Sequence, residues 1–228
     1  MGTGANLQNV VVHKPWGYEY LVYQNGKVAI WYLRINSGEA TSLHCHPRKK
    51  TGLILLSGEA VVSFLNDSMT MKAPSKLMLR PGLFHSTKGN CPEGIGVLEL
   101  ESPVDKEDLV RFEDDYGREG KAYEGPDKMS PLPEHYVRFQ DPEEGKSIDY
   151  RMDGQIIRLE KLKNVSNLPS KSPETIIAVL DGGLTSKSGE PITTAGDVGT
   201  FASLERLSQA FEAPEGILVL TLEKENSR

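Results

Sequence analysis

Two stretches decide how this chain folds: Gly38-Glu39-Ala40-Thr41-Ser42-Leu43-His44-Cys45-His46 and Arg80-Pro81-Gly82-Leu83-Phe84-His85. Together they hold three of the five histidines, the others being His13 and His135. Alternate side chains of an extended strand share a face, so His44 and His46 present both imidazoles to one side, as a chelating pair requires. Cys45 points the opposite way and reads as a packed thiol. The Pro81-Gly82 turn is placed to deliver His85 to the same interior. Three neutral nitrogens with open positions describe a catalytic metal centre rather than a closed structural one.

Around these stretches the chain reads as short β-rich runs: 18–23, 27–35, 53–56, 60–65, 76–79 and 95–100. The turn formers Asn25-Gly26, Ser37-Gly38, Ser57-Gly58, Asn66-Asp67 and Pro81-Gly82 separate them. Regular short strands at this spacing predict an all-β barrel or sandwich. Residues 105–153 are acidic and punctuated by Pro and Gly, with one short helix expected over 106–112 behind Asp105. From Gln155 the β pattern returns at 155–162, 175–180, 197–204 and 217–223. Ile177-Ala178-Val179-Leu180-Asp181-Gly182 echoes Leu53-Ile54-Leu55-Leu56-Ser57-Gly58, which predicts two copies of one small barrel.

Composition narrows the function classes. The 228 residues carry a net charge of −6, with acids concentrated between Glu99 and Asp127, so a nucleic-acid binder with a broad basic face is not expected. Two cysteines do not make a disulfide framework and fit a reducing cytoplasm. No run approaches the roughly 20 apolar residues of a membrane span, Met1 to Val12 has no leader pattern, and Gly2 lacks a Ser or Thr at the myristoylation spacing. Phosphate loops, dinucleotide fingerprints, nucleophile elbows and Cys-x-x-Cys motifs are absent from the sequence.

Gly38, His44, His46 and Gly58 keep the register of a Gly-x5-His-x-His…Glu-x6-Gly motif with Thr51 at the Glu position. Gly82 and His85 match Pro-x-Gly-x-x-His, with Arg80 at the Pro position and Pro81 one place later. In this the sequence resembles the cupin superfamily. Lys14-Pro15-Trp16-Gly17-Tyr18-Glu19, the stretch 43–58 and the signature 107–118, ending Asp115-Tyr116-Gly117-Arg118, resemble the cupin module of type II mannose-6-phosphate isomerases. That likeness spans residues 14–120; the module's Gln-x-His falls at His44-Cys45-His46, its Arg at Lys49 and its Glu at Thr51.

The resemblance implies two double-stranded β-helix (jelly-roll) barrels: a metal-binding one over 1–120, an acidic, partly irregular connector over 121–154, and a degenerate barrel without histidines over 155–228. The second barrel is expected to bury strands of the first or of a partner subunit. His44, His46 and His85 would hold one divalent ion (Zn, Fe, Mn or Ni), and a neutral ligand set would favour an anionic ligand. Lys49, in the run Arg48-Lys49-Lys50 just beyond the ligands, together with Arg34 and Arg80, is the candidate holder of a phosphate or carboxylate, a solvated loop being the alternative for the run. Glu99 is the candidate base, and Glu99 or Glu101 the candidate replacement for the missing carboxylate. Trp16, Trp31 and Tyr18 read as core or interface aromatics. Tyr116-Gly117-Arg118 either anchors the chain or closes one side of the pocket. The function expected is action on a phosphorylated sugar or sugar acid, as a homodimer. The alternatives are a three-His Fe(II) dioxygenase and a non-catalytic carbohydrate-binding or assembly protein.

Overall fold

The structure is a computed structural model that describes residues 7–120 and 123–224, so Gly2 lies outside the described residues. The N-terminal module runs β1 (Val10–Lys14), β2 (Gly17–Gln24), β3 (Ala29–Ile35), β4 (Leu43–Cys45), β5 (Lys50–Ser57), β6 (Glu59–Ser63), β7 (Ser68–Lys72), β8 (Ser75–Leu79), β9 (Ser86–Gly89), β10 (Ile95–Ser102), β11 (Val110–Glu113) and β12 (Met129–Pro131). The C-terminal module adds β13 (Ser147–Met152), β14 (Gln155–Leu162), β15 (Ile176–Gly182), β16 (Val198–Thr200), the helix α1 (Phe201–Ser208) and β17 (Ile217–Lys224).

Seven strands form one sheet in the order β12-β1-β2-β3-β10-β5-β8, opposed by the sheet β7-β6-β9 and the pair β11-β4. Leu33, Leu53 and Leu55 from the large sheet meet Ala60, Val62 and Met71 from the small one in a core that fills one end of the barrel. The five-stranded C-terminal sheet has the order β13-β14-β17-β15-β16. Strand for strand this repeats β2-β3-β10-β5-β8: a hairpin, then the last strand, then two intermediate ones. The echo between 53–58 and 177–182 falls on equivalent strands, β5 and β15. Each of the two runs ends on a glycine in the left-handed region, Gly58 at φ 81° and Gly182 at φ 66°, where a side chain would be strained.

The two equivalent sheets pack face to face. Ile30, Ile54, Leu56, Leu98 and Leu100 from the first meet Ile157, Leu159, Ala178, Leu218 and Leu220 from the second. Each such fully buried large side chain contributes about 1.5–3 kcal/mol. On the far face of the second sheet, α1 covers Val179 and Val219 with Leu204.

Two sequence expectations are corrected. Residues 106–112 are not helical: a turn precedes β11, which pairs with β4. The run 197–204 is a strand only as far as Thr200, whose hydroxyl accepts from Ser203 N at 3.4 Å and caps α1. The span 121–154 holds β12, paired with β1, and β13, paired with β14. The cysteines are free thiols, Cys45 buried and Cys91 half-buried. Among the described residues no helix is long and apolar enough to cross a membrane.

Candidate metal centre and its cavity

His44 and His85 are 41 positions apart in sequence but exchange both backbone hydrogen bonds, His44 N donating to His85 O at 3.0 Å and His85 N to His44 O at 2.8 Å. Residues paired this way lie opposite each other with side chains on one face, which places the two rings 4.5 Å apart. His46, two residues along, brings its ring to 5.0 Å from His44 and 5.7 Å from His85. Each imidazole donates Nδ1–H to a backbone carbonyl: His44 to Ser42 at 2.7 Å, His46 to Asp108 at 2.6 Å and His85 to Leu83 at 3.0 Å. That arrangement selects the tautomer whose Nε2 carries a free lone pair. Nε2 of His46 and of His85 is buried with no hydrogen-bond partner. Buried polar atoms without partners are rare, and two in one cluster, both lone pairs, fit an electrophile such as a metal ion.

The carboxylate at this centre comes from a different strand than the motif resemblance implies. Thr51 on β5 faces Glu101 on β10, and Leu53 faces Glu99, so all four share the inner face. Glu99 joins the histidines, and one donor atom from each of His44, His46, His85 and Glu99 lies within 4.8 Å of the others. Three imidazoles and a carboxyl thus stand together, a donor set that could hold a divalent transition ion, with Glu99 where the replacement carboxylate was expected.

Burial and the crowding of His85 and His46 push His44 well below the usual histidine range. Burial likewise brings His85 down to about 4, although its bond to Leu83 opposes the shift. These imidazoles are neutral, as ligands must be. Burial and the adjacent Glu101 push Glu99 up to about 7. Glu101 is held below the usual range because Lys106 and Lys49 outweigh its burial.

Lys49, expected at the barrel mouth, is 1 % exposed and donates to Glu101 at 2.7 Å. Its run is consumed by partners: Arg48 binds Asp105 and lies 3.3 Å from Asp108, while Lys50 binds Thr194 and Asp197. The buried Asp108 carboxylate fixes the bend by accepting from the backbone N–H of Arg48 and of Lys49, both at 2.9 Å. Arg34 and Arg80 stand away from the cavity. Arg34 donates to the Glu93 carbonyl, and Arg80 is solvent-exposed beyond β8. His13 binds Ser130 at 2.8 Å and His135 stacks edge-on with Tyr136, both outside the cluster.

The cavity over the histidines has a volume of about 60 Å³, and its cationic wall is Lys14, Lys106, Arg111 and Arg118. Trp16 and Tyr123 also line it. Lys106 lies 3.7 Å over the Trp31 ring and 3.1 Å from Glu19. Arg118 therefore closes one side of the pocket, while Tyr116 anchors the same turn by donating to Glu39 at 2.6 Å. Lys14 and Arg111 lie within stretches that carry the resemblance, but sequence reasoning gave them no role, whereas Arg118 was expected either to anchor the chain or to close the pocket. The pairing of β11 with β4 sets Arg111 directly across from His44 and so brings it to the site.

Residues 3–114 match the family described as mannose-6-phosphate isomerase C-terminal. The xanthan biosynthesis protein XanB of Xanthomonas campestris is 26% identical over 109 residues, covering 47% of this chain and 23% of that protein. The alginate biosynthesis protein AlgA of Pseudomonas putida is 24% identical over 119 residues, covering 51% of this chain and 24% of that one. The chain thus spans about a quarter of the length of these curated relatives. A Klebsiella pneumoniae protein with a double-stranded β-helix domain superposes at a TM-score of 0.39 with 18% identity, over 42% of this chain and 84% of that one.

Proposed function

We propose that this chain, whose residues 3–114 match the mannose-6-phosphate isomerase C-terminal family, binds one divalent metal ion (Zn, Fe, Mn or Ni) and acts on a phosphorylated sugar or sugar acid in an isomerase-type proton transfer. The observation that carries this reading is the set of three imidazoles, each fixed by a backbone carbonyl at Nδ1, around the Glu99 carboxyl.

A bound divalent ion would supply polarisation of a sugar carbonyl and its neighbouring hydroxyl. The chain's own residues account for the rest. With the three imidazoles holding the ion, Glu99 on β10 is the carboxyl left at the reacting end of the cavity and the group assigned to take and return a proton between adjacent carbons. Lys14, Lys106, Arg111 and Arg118 give the walls the positive charge an anionic sugar derivative needs. Trp16 and Leu109 exclude water from one side. The reading includes a homodimer, because β7 is an exposed edge strand to which a second copy can add; light scattering tests it.

The deciding experiment is metal content by mass spectrometry on tag-free protein and on the double variant His44→Ala/His46→Ala, followed by mannose 6-phosphate in D2O. Near-stoichiometric metal that the variant loses, with deuterium entering at C1 of the ketose product, is the expected result. Iron with oxygen uptake would replace isomerisation by dioxygenase chemistry, and ligand bound without turnover would make the module a binding protein. No metal in either form after reconstitution would end the catalytic reading.

A further inference from the structure

Three cations from separate parts of the chain converge on one carboxylate, Glu124. Lys14 at the end of β1 donates to its Oε2, Arg118 donates to Oε1 at 2.9 Å, and the Arg111 guanidinium lies 3.9 Å from Oε1. The four side chains are nearly withdrawn from solvent, at 4% for Lys14, 5% for Arg111, 13% for Arg118 and 9% for Glu124. Lys14 also lies 3.5 Å from Glu19 and Arg118 lies 2.6 Å from Asp114, so the cations sit in a buried ion network centred on Glu124, and the arrangement is built. Asp114 orients Arg118 by accepting from its Nε at 3.0 Å and from a terminal nitrogen at 2.6 Å. Arg111 is held by strand register across from His44, which ties the cluster to the metal centre. All three cations line the histidine cavity.

The size of that cavity bears on what Glu124 is doing. Sites for small organic ligands are typically about 300–1,000 Å³, whereas this one is about 60 Å³. Tyr123, the residue before Glu124, is part of its wall and donates to Glu19, and Lys14 sits 3.9 Å over the Tyr123 ring. Tyr123 thus takes up part of the cavity wall, and Glu124, just behind that wall, holds the donors that a ligand's anionic end would need.

We propose that Lys14, Arg111 and Arg118 form a phosphate subsite beside the histidine centre, and that Glu124 occupies it as an internal surrogate which the ligand's phosphate displaces. This rests on reading the cavity as a sugar-phosphate site and adds to it both the subsite and a built-in competitor. Two guanidinium forks and an ammonium match a tetrahedral dianion better than a planar monoanion, since phosphate offers three acceptor oxygens. Displacement needs only side-chain rotation at Glu124, and the exchange conserves the ion pairing. While Glu124 is seated, apparent affinity for phosphate is reduced by the fraction of time the subsite is open.

The test is titration with inorganic phosphate, by calorimetry and thermal shift at matched ionic strength, on wild type, Glu124→Gln and Glu124→Gln/Arg118→Ala, with metal content measured on each sample. Glu124→Gln removes the competing charge and is expected to bind phosphate about tenfold more tightly, the factor for a surrogate seated about nine-tenths of the time. The added Arg118→Ala is expected to cancel that gain. Should Glu124→Gln fail to fold, Glu124→Asp keeps the charge but shortens the reach, and is expected to gain about threefold by the same relation. Unchanged or weaker phosphate binding in the folded variant overturns the surrogate even where metal is bound and the proposed function stands. A gain without any metal in wild type leaves the subsite standing and removes the metal-dependent reading instead.

Discussion

Replacing Lys49 by Met separates a buried structural counter-ion from a ligand-binding residue. Lys49 and Glu101 are 1% and 3% exposed and 2.7 Å apart, so the substitution strands a carboxylate inside the barrel. Removing one partner of such a pair costs about 3–5 kcal/mol. Lys106, 4.0 Å from the other Glu101 oxygen, retains part of the compensation and places the expected loss near the lower end, at about 3 kcal/mol. In a chain of this size that is about 6–12 °C in Tm. Urea unfolding and differential scanning calorimetry read it directly. Lys49→Met/Glu101→Leu removes both charges and is expected to be more stable than Lys49→Met alone, with a coupling energy of about 2 kcal/mol. A residue at a solvated barrel mouth would instead leave stability within about 0.5 kcal/mol and weaken only ligand binding. A loss under about 1 kcal/mol, or additive effects in the double variant, would refute the counter-ion assignment.

Glu19 gives a pH dependence of defined sign. Burial alone would raise its pKa, but Lys106 and Lys14 prevail and hold it at about 2 against an ordinary 4.5, so its contribution is complete above pH 4.5 and is lost as pH falls toward 2; urea midpoints across that window should fall less steeply for Glu19→Gln than for wild type. At the contact between modules, a Cβ on Gly52 would lie 2.4 Å from Val198 Cγ2, so Gly52→Ala is expected to cost about 1–3 kcal/mol. Gly26→Ala, with nothing within 4 Å of its new Cβ, should stay within about 0.5 kcal/mol in the same unfolding assay, and equal effects at the two positions would argue against tight packing between the modules.

What was legible in the sequence depended on whether the determining contacts are local. The short β-rich runs 53–56 and 95–100, bounded by turn formers, are a property of the segments themselves, and they marked β5 and β10 correctly. The grouping of the histidines was legible for the same reason: one pair is spaced by two residues and the third follows a Pro-Gly turn. Lys49 was misplaced because a charged run reads as solvated until Asp108 and Glu101, more than 50 residues away, are seen to hold it. Lys14 and Arg111 acquire meaning only through the β11–β4 register and the return of Glu124. The segment 201–208 was missed because a two-turn helix following a strand offers too few apolar repeats to distinguish the two periods.

The second module has no histidine after His135, yet it bears on the site through β10. Alternation along that strand sends Glu99 and Glu101 into the barrel and Leu98 and Leu100 into the core between the modules. β5 divides its residues in the same way, with Thr51 and Leu53 inward and Ile54 and Leu56 outward. Two carboxyls two residues apart on one strand face, both buried, repel each other and resist desolvation, so the strand carrying them needs support from outside the cavity. Leu98, Leu100, Ile54 and Leu56 are all 0% exposed against the C-terminal sheet, and each adds about 1.5–3 kcal/mol of burial on the face opposite the acids. The C-terminal sheet, which repeats the strand order of the first, thus packs against the strand that delivers Glu99 to the histidines and supports it from the face opposite the acids.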